Sequence, residues 1–191
     1  GAGSDLQGTN TTAVLDGDHY ILNGSKTFIT NGQKAGLVIV VAKTDTSAGS
    51  KGISLFLVEA DLPGFSKGKN LTKLGLKAQD TSELFFQDVK VPRENLLGEE
   101  GRGFIYLMQD LPQERLSIAV GAVANAKAIL EATIAYTKER KAFGTTVASF
   151  QNTQFKLAEL SAEIDCAEVY TDRCTELLLE DKLDTVTASK A

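Results

Sequence analysis

Glu114 is the carboxylate whose neighbours best suit proton transfer. It follows Leu111-Pro112-Gln113, precedes Arg115 and opens onto the apolar run 116–120, the setting of a general base beside a ligand pocket. The same position suits a carboxylate that only favours a helix start, worth a few tenths to ~1 kcal/mol. A second group, Gly1-Ala2-Gly3-Ser4-Asp5, offers amides and a hydroxyl that approach a phosphate closely, or forms a plain turn. A third, Asn23-Gly24-Ser25-Lys26-Thr27-Phe28-Ile29-Thr30-Asn31-Gly32, is expected to put Phe28 and Thr30 on one strand face. One ring for stacking and one hydroxyl suit a planar cofactor. A half-buried strand between two Asn-Gly turns accounts for the same letters.

Other chemistries lack their residues. One histidine, His19, and two cysteines, Cys166 and Cys174, are too few for a closed zinc site of four ligands. On one helix the cysteines would lie about 12 Å apart, beyond the ~7 Å Cα separation that a disulfide tolerates. They read as reduced core residues. A bacterial cytoplasm and a mitochondrial matrix suit them equally.

Two kinds of element must position these groups. In residues 1–98, short runs rich in Val, Ile, Phe and Thr are punctuated by Asp16-Gly17, Asn23-Gly24 and Asn31-Gly32, the dipeptides of tight hairpin turns. An antiparallel β-domain is expected, with residues 21–22, 26–30 and 37–43 as a meander. Residues 53–59 and 82–89 are further strands, and 44–52 and 62–70 are loops. Residues 99–103 form a hinge, and 99–191 read as helical. A long helix is expected to start at Asp110-Leu111-Pro112, with Asp110 as cap and Gln113 three residues on. It ends at Arg140-Lys141-Ala142-Phe143-Gly144, where basic residues meet the negative helix end and glycine permits the stop. A second helix begins near Phe150-Gln151. The fold class is α+β, an antiparallel β-domain followed by long antiparallel helices of an incomplete four-helix bundle. Two such helices need partners for their apolar faces.

The chain has 191 residues, 42% hydrophobic and 24% charged, the balance of a globular protein. Its net charge of -5 and the lack of a Lys/Arg-rich stripe argue against nucleic acid. The longest apolar runs, such as 37–42 and 53–58, fall far below the roughly 20 residues of a membrane helix, so no membrane span is expected. Gly1 resembles neither a start methionine nor a signal peptide, and the sequence reaches Ala191 within a helical pattern. A piece of a larger protein is expected.

Several motifs, in order, resemble the acyl-CoA dehydrogenase family over essentially all 191 residues. Gly-Ala-Gly-Ser-Asp at the start is similar to the tail of its flavin and substrate loop, and Phe28-Ile29-Thr30-Asn31-Gly32 to its flavin-contacting strand. Lys73-Leu74-Gly75, Asp80-Thr81 and Leu84-Phe85-Phe86-Gln87-Asp88-Val89-Lys90-Val91-Pro92 resemble its closing β-domain segment. Arg140-Lys141-Ala142-Phe143-Gly144 with Phe150-Gln151 matches the link between two bundle helices.

The resemblance implies FAD-dependent oxidation of an acyl-CoA thioester to the trans-2-enoyl-CoA. A base takes the α-proton and the β-hydrogen leaves as hydride to the flavin. Polarisation of the thioester carbonyl and exclusion of water make so weak an acid reactive. In most members the base lies in a later loop, whereas long-chain and isovaleryl-type members carry it on the helix near Pro112. Leu111-Pro112-Gln113-Glu114-Arg115 resembles the long-chain version, which implies Glu114 as base with Arg115 ordering the site. By the same resemblance Gly3, Ser4, Phe28, Ile29 and Thr30 contact FAD, and Ser4 also lies near the thioester. Arg140 and Gln151 reach the FAD of a neighbouring subunit, Arg140 by pairing with pyrophosphate. Ile105, Pro112, Gln113 and Arg115 line the acyl pocket. Electron-transfer flavoprotein as acceptor and a homotetramer are further implications, and residues 1–191 alone are expected to be inactive. The alternatives are an isovaleryl or branched-chain dehydrogenase, an oxidase of the same fold, and a non-catalytic assembly module.

Overall fold

The computed structural model describes residue 3 and residues 5–191. It divides into two compact units, one ending at Leu107 and the other beginning at Met108.

The first unit is built on a hairpin. β1 (Thr12–Asp16) turns through Gly17 and Asp18 into β2 (His19–Thr30), and Gly17 takes the positive φ of +62° that a two-residue hairpin loop requires. Asn23-Gly24, expected as a turn, is instead part of β2. There Gly24 has φ +144°, and a Cβ would lie 2.8 Å from the Thr11 backbone, so glycine permits a close crossing rather than a reversal. The extra residue on the opposite strand is accommodated by Asp88 at φ +50°, whose amide donates to Asn23 Oδ1 at 2.9 Å.

Asn31-Gly32 does turn the chain, with Asn31 at φ +62°, but β3 (Leu37–Lys43) does not return to β2 as a meander would. β2 already carries β1 along its first half on one edge and β6 (Thr81–Pro92) along the other. β3 therefore docks beside β1, in parallel, through the single pair Thr12 and Lys43, and continues antiparallel into β4 (Ile53–Glu59). With β5 (Phe65–Lys67), which lies inside a segment expected to be a loop, the sheet order is β4-β3-β1-β2-β6-β5. It is mixed and mostly antiparallel.

Alternation along these strands buries Tyr20 and Leu22 of β2, Val40 and Ala42 of β3, Phe56 and Val58 of β4, and Leu84, Phe86, Val89 and Val91 of β6. Each large apolar side chain so buried contributes about 1.5–3 kcal/mol. Tyr20 packs edge-on to Phe56, with ring centroids 4.8 Å apart, and donates its hydroxyl to Glu100 at 2.9 Å.

α1 (Gly103–Glu139) starts seven residues before Asp110, the cap expected from sequence. Pro112 lies inside it. A proline removes one backbone bond, at about 3 kcal/mol, but Ile105 and Tyr106 already donate to the Arg102 carbonyl upstream, so the helix is nucleated before proline is reached. An 18-residue window of α1 has mean hydropathy 1.5, apolar and long enough to cross a bilayer by length and composition. Counting uninterrupted runs hid this because single polar residues such as Asn125 and Lys127 break each run. Helices that bury most faces among other helices have the same makeup.

A short hairpin, β7 (Lys141–Ala142) and β8 (Thr145–Thr146), leads to α2 (Gln151–Leu179) and α3 (Thr185–Lys190). Lys127 of α1 pairs with Glu168 of α2. Large apolar side chains on both helices, among them Ile118, Ile129, Phe155 and Val169, are exposed. Both cysteines lie on α2 and are free, Cys174 buried but Cys166 exposed, so only one of the two is a core residue.

Candidate active site

In the first unit the candidate cofactor residues occupy the far end of β2. Lys26 pairs with Leu84 and Ile29 with Ser82, so three steps on β2 face two on β6. Phe28 falls in this bulge with φ +58°, a conformation that costs a non-glycine residue on the order of 1 kcal/mol and persists only where its surroundings enforce it. The ring is 73% exposed. Ile29 is half-buried and Thr30 exposed at the strand end. The period-two argument that put Phe28 and Thr30 on one face does not hold across a bulge; both are nonetheless presented to the exterior. Gly3 is exposed, and Ser4 lies outside the described residues.

Beyond Thr30, the turn is clamped by residues that sequence reading overlooked. The buried Asp80 accepts from the Gln33 amide at 2.7 Å, and its carbonyl accepts from the Asn31 amide at 3.1 Å. Gln33 reaches the Gly68 carbonyl at 2.6 Å, while Lys67 donates to the carbonyls of Gln33 and Ala35. A carboxylate three letters beyond a lysine in Lys77-Ala78-Gln79-Asp80 carries no signal of this long-range contact.

Lys26 was overlooked too, although a signal was present. It shares the inward parity of Tyr20 and Leu22 on β2, where a lysine is anomalous. Its ammonium donates to Thr9 Oγ1 at 3.0 Å and the Val41 carbonyl at 2.7 Å. Burial in a groove with Leu6, Ile29, Val38, Val40 and Leu84 pushes it down to about 8. An unfolded lysine titrates near 10.4, so from pH 8 to about 10 the unfolded chain binds more protons and stability rises with pH. Below pH 8 both states are protonated and the cost of the buried charge is fully present. After solvent screening the rise is on the order of 1–2 kcal/mol. Tyr20, raised by burial and then by Glu100, acts in the opposite sense only above its ordinary range. Urea midpoints should climb from about pH 7.5 to 9.5, and Lys26→Met should flatten the climb. A flat wild-type profile would contradict this.

Ile105 is an exposed residue of α1 in the first unit. In the second unit Pro112 is half-buried, and Gln113, Glu114 and Arg115 are exposed on the next turn. Arg115 donates to Ser189 Oγ of α3 at 3.0 Å, which ties the guanidinium to α3. Arg140 follows α1, and its backbone is held from both sides: its amide donates to Tyr136 at 2.9 Å and its carbonyl accepts from Val147 at 2.8 Å. Its side chain makes no ion pair among the described residues. Gln151 opens α2 across the hairpin whose tip, Phe143, is 97% exposed at φ +54°. Arg140 and Gln151 thus share one end of the unit, whereas the 25 residues from Glu114 to the end of α1 span about 38 Å. The second unit keeps Glu114 and Arg115 far along α1 from the end that carries Arg140 and Gln151.

A mixed sheet followed by long helices is also the architecture of the solved acyl-CoA dehydrogenase from Geobacillus kaustophilus. The two superpose with a TM-score of 0.96 at 52% identity, over 99% of this chain and 50% of that one. The family model for the acyl-CoA dehydrogenase middle domain matches residues 1–89, and that for the C-terminal domain matches residues 101–191. The chain therefore belongs to the acyl-CoA dehydrogenases, a flavoprotein oxidoreductase family. It is 55% identical to the mitochondrial long-chain specific acyl-CoA dehydrogenase of Sus scrofa, over all of this chain and 45% of that one. It is 44% identical to the mitochondrial short-chain specific enzyme of Mus musculus, over 93% of this chain and 43% of that one. The chain spans about half the length of the curated relatives it matches.

Proposed function

We propose that the full-length protein oxidises long-chain acyl-CoA thioesters to trans-2-enoyl-CoA with FAD, with Glu114 as the base. The observation that carries the reading is Phe28, an exposed ring held at φ +58° at the end of β2. Strain of this kind concentrates at functional sites, and a presented ring beside the Thr30 hydroxyl fits a planar cofactor with polar edges. Phe28, Ile29 and Thr30 hold the ring system, and Gly3 and Ser4 the adjoining part of the cofactor. When bound, FAD supplies the acceptor for the β-hydrogen and its electron pair.

The remaining chemistry falls to the chain. The Glu114 carboxylate takes the α-proton, and Arg115, anchored on Ser189, orders the carboxylate's surroundings. Pro112 and Gln113, with Ile105, line the acyl chain's path and keep water from the base. Arg140 and Gln151 serve the FAD of a neighbouring copy in a homotetramer, a role that their distance from Glu114 supports. Electron-transfer flavoprotein takes the electrons onward. Higher identity to the long-chain relative than to the short-chain one supports the chain-length preference.

The test is an anaerobic series of saturated acyl-CoA esters of increasing length added to the flavin-loaded, full-length protein, with products identified by mass spectrometry. Flavin bleaching matched by a trans-2-enoyl product, with kcat/KM rising toward long chains, is expected. Preference for short or branched chains reassigns the substrate. Oxygen consumption without added acceptor identifies an oxidase, and failure to bind FAD an assembly module.

A further inference from the structure

β1 wedges between β2 and β3 only as far as Thr12, its single pairing partner on β3 being Lys43. Beyond that bridge β2 and β3 part, and a groove opens that is lined by Leu6, Thr9, Lys26, Ile29, Val38 and Leu84. Lys26 crosses it. The ammonium joins three segments: β2 itself, the Val41 carbonyl on the edge of β3 that β1 leaves uncovered, and the Thr9 hydroxyl. Thr9 is buried and follows the turn in which Asp5 accepts from the Gly8 amide. Two residues past Lys26, on the same strand, stands the strained Phe28.

A methionine would fill this groove without taking a charge out of water. What lysine adds is two directed bonds that fix β2 against its neighbours next to a bulge where the ladder itself is interrupted. We infer that Lys26 is a positioning residue, tying the segment that follows Gly3 to the strand that presents Phe28, Ile29 and Thr30, and so holding both halves of the cofactor's cradle in register. The inference rests on the flavin reading of Phe28 and Thr30 for its functional consequence; its mechanical content does not.

The test uses Lys26→Met, Lys26→Arg and Thr9→Val in the full-length protein, with Phe28→Ala as the control for the flavin reading. FAD affinity, the visible circular dichroism of bound flavin, and amide exchange of residues 27–31 in the apoprotein are measured. Lys26→Met should fold, raise the FAD dissociation constant about tenfold, shift the flavin dichroism and speed exchange of the bulge by a similar factor, as loss of one to two hydrogen bonds implies. Thr9→Val should move the same readouts less, and Lys26→Arg, which keeps a cationic donor, should recover part of the loss. Wild-type affinity, dichroism and exchange in Lys26→Met overturn the inference. If Lys26→Met does not fold, unchanged exchange and affinity in Thr9→Val overturn it. If Phe28→Ala leaves affinity and dichroism unchanged, the flavin reading fails instead, and exchange of residues 27–31 in Lys26→Met alone decides whether the tie exists.

Discussion

Glu114→Gln in the flavin-loaded, full-length protein is expected to slow anaerobic bleaching by a long-chain acyl-CoA by roughly 10²–10⁴, the usual contribution of a positioned base. FAD and acyl-CoA should still bind. The size of the effect follows from what the substitution changes. Glutamine keeps the shape and nearly the helix propensity of glutamate, and the residue is exposed on α1, so neither packing nor helix stability accounts for a slower proton transfer. The amide simply cannot take the α-proton. Arg115 would keep its bond to Ser189, so the acyl pocket should retain its form, and the thioester complex should form with its dissociation constant unchanged. Bleaching at the wild-type rate would place the base elsewhere in the full-length protein and reduce Glu114 to a helix-surface carboxylate. Loss of FAD from the variant would assign Glu114 to cofactor binding, again contrary to the proposal.

Local chemistry made much of this legible in the sequence, and long-range geometry hid the rest. β3 and β4 could be read to the residue because both are largely apolar runs, β4 broken only by Ser54, closed by a charged letter, and the Gly17 hairpin because its dipeptide favours a tight turn. Asn23-Gly24 is an equally strong turn dipeptide, yet Gly24 serves close contact with Thr11, a partner thirteen residues upstream whose proximity no dipeptide encodes. β3 was misplaced for a related reason. Whether a strand returns to its predecessor depends on which edges are already taken, and β6, which takes one edge of β2, comes fifty letters later. Pro112 misled because a proline is locally a helix start, whereas the turns before it already commit the chain to helix. In the candidate site, residue types were readable and their support was not. Phe28 and Thr30 could be singled out, but the bulge that presents them depends on β6, and the Asp80 clamp joins residues 47 positions apart.

Arg140→Ala should weaken FAD binding in the assembled protein by roughly 10–100-fold, in line with loss of a charge-assisted, bidentate bond worth about 1.5–3 kcal/mol. Arg140→Lys should recover only part, since an ammonium cannot form the fork. The backbone on either side is already fixed by Tyr136 and Val147, so the arginine is presented rather than recruited, and its removal should leave thermal stability of the apoprotein unchanged. Which copy's FAD it serves can be decided by mixing. With Glu114 about 38 Å from the end of α1, the proposal assigns Arg140 to a neighbour's cofactor. Hybrids of Arg140→Ala and Phe28→Ala subunits then contain some sites that draw a wild-type Phe28 from one subunit and a wild-type Arg140 from the other. Those sites should bind FAD as tightly as wild type, and titration should resolve a tight fraction absent from either parent variant. If Arg140 acts on the FAD of its own chain, every hybrid site carries one lesion and no tight fraction appears.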